Sequence, residues 1–82
     1  MYKNRSPHGG NNLCGERVRA LRLAMPGRVS QRALAERLQI EGLDLDKNAV
    51  QRIESGERFV TDIELRAISR VLGVTADELL GD

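Results

Sequence analysis

Residues 46–56, "DKNAVQRIESG", decide how this chain is read. Asp46 is a good N-cap, and Gly56 suits the left-handed turn that ends many helices. Between them Val50 and Ile53 stand three residues apart, on one side of a helix. Lys47, Asn48, Gln51 and Arg52 then fall on the opposite side. A short helix with this polar outer face sets the question that the rest of the chain must answer.

Working outward, the same kind of helix start recurs. Ser30, Asp46, Thr61 and Thr75 are all N-cap residues. Each follows an apolar residue (Val29, Leu45, Val60, Val74), and each has another four positions on (Leu34, Val50, Leu65, Leu79). That pairing is the hydrophobic staple, and Glu64 and Glu78 add capping boxes behind Thr61 and Thr75. Upstream, Cys14, Val18, Leu21 and Met25 step by four, three and four along one helical face until Pro26-Gly27 breaks it. The spacing predicts five helices, at about 13–25, 31–38, 47–55, 62–72 and 76–80. The connection "QIEGLDLD", residues 39–46, is the long one, and its Leu43 and Leu45 are expected to tuck against the core.

Composition bounds the fold. Eighty-two residues make one small domain, with 1–12 read as a flexible N-terminal tail and 13–82 as the folded unit. With no Trp, one Phe and one Tyr, the core must be aliphatic, and the abundance of helix formers predicts an all-α fold. Cys14 is the single cysteine, so no internal disulfide forms. It reads as a small buried side chain; the competing reading is a reactive or metal-binding thiol. No apolar run is long enough to span a membrane, and no signal peptide is legible, so a cytoplasmic location is expected.

The net charge of +1 hides an asymmetry. Residues 1–37 hold eight Lys/Arg and two acids, for +6, while residues 38–82 hold five and ten, for −5. Such polarity suits a protein with one nucleic-acid face and one other, although solvated helices also carry charge runs. Lys, Asn, Gln and Arg are the side chains that grip phosphates and read base edges in duplex DNA. The pair "SQRALAERL" (30–38) and "KNAVQRIESG" (47–56) has small Ala35 where a crossing helix would approach. Two short helices so packed, the second with a polar outer face, describe a helix-turn-helix, whose second helix enters the major groove.

Here the chain resembles a known family, the lambda-repressor-like, Xre/Cro-type helix-turn-helix domains. The likeness rests on "GERVRALR", "SQRALAERL", "VQRIESG" and "LRAISRVLGVTADELL" in that order, and spans residues 15–80. It implies a compact five-helix module that binds double-stranded DNA as a small transcriptional regulator, commonly a repressor, and acts as a homodimer on two-fold operators. Residue by residue, Gln31 matches the glutamine that contacts a phosphate and braces the recognition helix. Lys47, Asn48 and Arg52 match base-reaching positions, with Gln51 beside them, and Ser55 matches a backbone contact. Arg22 and Glu54 match a buried ion pair between the first and third helices. Both stand at the edge of an apolar face, where either charge alone would be costly.

Two departures stand out. The 39–46 loop is some five residues longer than the usual three- or four-residue turn, which leaves the recognition-helix angle open. The turn "MPGRVS" (25–30) is also slightly long, and its Arg28 reads either as a phosphate contact or as a solvated loop residue. Arg58, in "GERFVTD" (56–62), is a further candidate for the DNA backbone. Phe59 reads as core or dimer contact. Leu79 and Leu80 either help a two-fold dimer or close the monomer core. Lys3 and Arg5 belong either to plain disorder or to a minor-groove arm.

Other classes fit less well. There is no paired-carboxylate pocket, no nucleophile with a nearby base, no metal-ligand cluster and no phosphate-cradling Gly loop, so no enzyme, cofactor or metal is expected. The serious rival is a protein-interaction module of the same fold, such as an antitoxin-type binder of a protein partner. An acidic or apolar outer face at 47–55 would favour that rival; the face present is basic and amide-rich.

Overall fold

The computed structural model describes residues 10–81. Five α-helices run in chain order: α1 (Gly15–Ala24), α2 (Gln31–Ile40), α3 (Lys47–Ser55), α4 (Asp62–Leu72) and α5 (Ala76–Leu80). The described residues contain no strand. α3 packs on α1 and α2, α4 packs on the same two helices, and α5 closes against α1 and α4.

All four expected caps form. The side chains of Ser30, Asp46, Thr61 and Thr75 accept from the backbone N–H groups of Ala33, Ala49, Glu64 and Glu78. Each satisfies one of the amide groups that a helix start leaves without a partner. The box at Thr61 is complete, since the Glu64 carboxylate also accepts from the Thr61 N–H at 3.0 Å. At Thr75 only the forward half forms. There Glu78 accepts from the Thr75 hydroxyl at 3.5 Å instead of from its backbone. Gly56 ends α3 at φ 85°, a conformation that a side chain would strain.

The core is the aliphatic one expected: Val18, Leu34, Leu38, Val50, Ile53, Ile68 and Leu79 are all buried. Ala35 is buried too, in α2, which packs on α3. Leu79 therefore closes the monomer core and is not available to a partner, whereas Leu80 stays 38% exposed. Cys14 is buried, and burial pushes its thiol pKa up, away from the reactive thiolate form. Phe59, with 38% of its surface exposed, belongs at the rim and not in the core.

Helix boundaries in α1 and α2 differ from the sequence expectation. α1 starts at Gly15, two residues late, because the Asn12 side chain accepts from the Gly15 N–H at 2.8 Å and sets the helix start there. α2 continues to Ile40, two residues beyond the expected end. The long loop therefore shrinks to residues 41–46. The chain turns at Gly42, where the Leu43 N–H reaches back to the Leu38 carbonyl at 2.9 Å. The Gln39 amide then donates to the Leu45 carbonyl at 3.2 Å. With Leu45 buried and Leu43 half-buried, the loop is folded onto the end of α2. Ahead of α1, Asn11 and Asn12 are bonded to the end of α3 and to the connection that follows it. Lys3, Arg5 and the arm reading attached to them lie outside the described residues.

Candidate nucleic-acid interface

The site is the outer face of α3. Val50, Ile53 and Glu54 point inward and are buried, while Lys47, Asn48, Gln51, Arg52 and Ser55 are all exposed. Positions 48, 51, 52 and 55 repeat at steps of three, one and three, so they form one continuous polar stripe.

Two shallow concavities flank this stripe. One lies where the starts of α2 and α3 meet and is lined by Ser30, Gln31, Arg32 and Lys47, with Arg22 behind them. It places the cationic side chains of Arg32 and Lys47 at a helix N-terminus, a surrounding that favours an anion. The other runs along α3 and is lined by Asn48, Gln51, Arg52, Ser55 and Glu57. It is rich in amide and guanidinium groups, the donors and acceptors that match base edges.

The foundation beneath α3 is ionic. Arg22 grips Glu54 with two bonds, Nε to Oε2 at 2.7 Å and Nη2 to Oε1 at 2.9 Å, and gives Nη1 to the Val29 carbonyl at 2.9 Å. The two side chains are 9% and 3% exposed, so the pair is dry. A bidentate guanidinium–carboxylate pair whose third nitrogen is also hydrogen-bonded is the form in which such burial is tolerated. The Glu54 carboxylate raises the Arg22 pKa further, and the guanidinium stays charged. Gln31 joins them by donating Nε2 to Glu54 Oε1 at 3.0 Å. Every buried side-chain N and O atom among the described residues has a hydrogen-bond partner.

The remaining predicted residues divide. Arg28 is exposed at φ 54°, a left-handed conformation unusual for a side-chain-bearing residue, and it lines neither concavity. The Ser55 hydroxyl donates back to the Arg52 carbonyl at 3.1 Å, which leaves its oxygen as an acceptor. Arg58 uses one guanidinium nitrogen, Nη1, to pair with Glu64 at 2.9 Å and to reach the Phe59 carbonyl. Arg32 was missed by sequence reasoning. Its signal was its place two residues past the Ser30 cap, in the first turn of α2, where an outward cation meets whatever approaches that helix start.

The profile described as a helix-turn-helix domain matches residues 14–80 of the chain. The chain belongs to that family. The assignment agrees with the geometry, since this helix-turn-helix domain packs α2 against α3 and leaves the outer face of α3 bare. It also bears out the likeness to the Xre and lambda-repressor-like class. Searches of curated proteins and of solved structures gave no match. Among the described residues, no helix is long and apolar enough to cross a membrane, and no three His, Cys, Asp or Glu side chains are grouped to hold a metal ion.

Proposed function

We propose that the chain binds double-stranded DNA sequence-specifically, as a small transcriptional regulator of the repressor type, with α3 in the major groove. The observation that carries this reading is the exposed stripe of Lys47, Asn48, Gln51 and Arg52 on a helix whose inner face is locked by Arg22, Glu54 and Gln31. A rigid helix presenting amide and guanidinium groups meets the geometric demand of base reading. Gln31, Arg32 and Lys47 take a phosphate at the α2 start, Arg28 and Arg58 take backbone contacts at the edges, and Ser55 takes one by turning its hydroxyl from the Arg52 carbonyl to a phosphate oxygen. Arg bidentate to guanine and Asn bidentate to adenine are the pairings expected of Arg52 and Asn48. The role is one of binding without catalysis, exercised in the cytoplasm where the DNA is.

The reading includes a homodimer. Leu13 is 53% exposed, and with Val60, Leu65 and Leu80 it lines an apolar groove between the start of α1 and α5. A second copy seated there would cover it and place two α3 helices about 34 Å apart, one turn of DNA. Sedimentation at micromolar concentration, with and without DNA, tests this; monomer in both conditions rejects it.

The deciding experiment is selection from a random duplex library at moderate salt, repeated with Lys47→Ala/Arg52→Ala. An inverted repeat enriched by the native chain and lost by the double variant supports the proposal. No enrichment, with only weak salt-sensitive binding, rejects it in favour of a protein-partner module of the antitoxin type.

A further inference from the structure

α3 is fastened to α1 at two separate places. The first is the Arg22–Glu54 pair, in the last turn of α1. The second lies at the other end of α1 and is made by a side chain outside every helix. Asn12 Oδ1 accepts from the Gly15 N–H at 2.8 Å. The two Asn12 amide hydrogens donate to the Ile53 carbonyl at 3.0 Å and to the Arg58 carbonyl at 2.8 Å. Asn11 extends the clasp, with its N–H on the Gly56 carbonyl at 2.7 Å and its Nδ2 on the Glu57 carbonyl at 2.8 Å.

We infer that Asn12 is a positioning residue for the recognition helix, setting the angle at which α3 is presented to DNA. The inference rests on the DNA-binding reading above. Three features carry it. First, one amide joins the start of α1, the last turn of α3 and the α3–α4 connection, and it exhausts both its donors in doing so. Second, its acceptors on that side are all backbone carbonyls, so it holds the course of the chain and not a particular side chain. Third, α1 and α3 meet at Gly15 with no room to spare: an added Cβ would collide with the Ile53 carbonyl oxygen and crowd Asn12 Oδ1. Close backbone contact at a glycine gives the helices a defined approach, and the Asn12 bonds hold it.

Two anchors do what one does not. Without Asn12, α3 would be held by side-chain bonds to Glu54 and by the packing of Val50 and Ile53, none of which fixes the course of the backbone over residues 53–58, so the helix could tilt. A nine-residue helix is roughly 13 Å long, so a tilt of about 5° shifts its far end by roughly 1 Å. That shift is enough to spoil a hydrogen bond whose distance window is only about 0.5 Å wide. The far end carries Lys47 and Asn48. Phosphate contacts by flexible cations tolerate the same shift.

The test uses Asn12→Ser, which keeps an uncharged acceptor near the Gly15 N–H but lacks the two-donor amide. Two readouts are taken at a temperature where native chain and variant are both fully folded. In amide NMR spectra of the free protein, the expected result is movement of the Lys47 and Asn48 signals, at the end of α3 remote from the substitution. In binding assays against the duplex selected by the native chain and against random-sequence duplex, the expected result is about tenfold weaker specific binding with unchanged non-specific binding and salt slope. NMR changes confined to residues 11–15 and 53–58, or an unchanged ratio of specific to non-specific affinity, overturn the proposal and leave Asn12 a plain structural cap. A native chain that selects no duplex overturns the DNA reading and the role of Asn12 in it together. If Asn12→Ser does not fold, Asn12→Asp, which preserves the acceptor at full reach, takes its place with the NMR readout.

Discussion

The Gln31 amide donates to Glu54 Oε1 at 3.0 Å, the same oxygen that accepts from Arg22 Nη2. The first residue of α2 is thereby tied to the buried face of α3. One side chain links the start of one helix to the foundation of the next. The Gln31 amide has a second N–H that this bond does not use, so under the DNA-binding reading a single residue would couple phosphate contact to bracing.

Removing one partner of this cluster should be expensive. Glu54→Ala strands the Arg22 guanidinium in a dry site and is expected to cost about 3–5 kcal/mol. Gln31→Ala removes one hydrogen bond from a carboxylate that keeps Arg22, and is expected to cost about 1 kcal/mol. Urea unfolding of both variants gives the comparison. Equal costs would mean that the Arg22–Glu54 pair contributes no more than an exposed one.

On the outer face, Arg52→Ala should leave folding unchanged and cost about 1–3 kcal/mol of binding, concentrated at one base position. Competition among operator variants measures it. A uniform loss across all sequences would reassign Arg52 to a phosphate.

Acid should release the Arg58–Glu64 pair. Burial alone would raise the Glu64 pKa, but the Arg58 and Thr61 hydrogen bonds and the Arg58 charge outweigh it, and the net shift is downward. A carboxyl whose folded pKa lies below its unfolded one adds stability above the unfolded value, about 4.3 for Glu, and loses it as pH falls through the folded value. Glu64→Gln should therefore be less stable than the native chain at pH 7, with the gap closing below about pH 4. Urea midpoints across this range are the measurement; a gap independent of pH would show that Glu64 acts only as a neutral cap.

Cys14 should behave as a reporter of unfolding. Its burial raises the thiol pKa and shuts out reagents, so alkylation in the folded chain at pH 8 is expected to be at least about a hundredfold slower than in urea. Comparable rates would mean that the α1 start opens readily, and with it the Asn12 clasp.

Local chemistry made much of this fold readable. Ser30, Asp46, Thr61 and Thr75 each act within one helical turn of their own position, so four helix starts could be placed from sequence. The inward face of α3 followed from Val50 and Ile53 in the same way. The Arg22–Glu54 pair became legible only through family likeness, because its partners are 32 residues apart and no periodicity links them. The Arg58–Glu64 pair was not legible at all, because Glu64 already serves as a cap and a carboxylate can accept from both.

By itself, then, the sequence determined five amphipathic helices, an aliphatic core and a polar outer face on α3, all properties set by neighbours three or four residues away. Tertiary structure alone decided what holds α3 at its angle: Asn12 on the Ile53 and Arg58 carbonyls, Gly15 pressed against the α3 backbone, and Gln31 on Glu54. It also brought Arg32 beside Lys47 and paired Arg58 with Glu64. The physical reason is one of range. Caps and helical faces are local, whereas directional hydrogen bonds between distant segments form only once the core has brought those segments within about 3 Å.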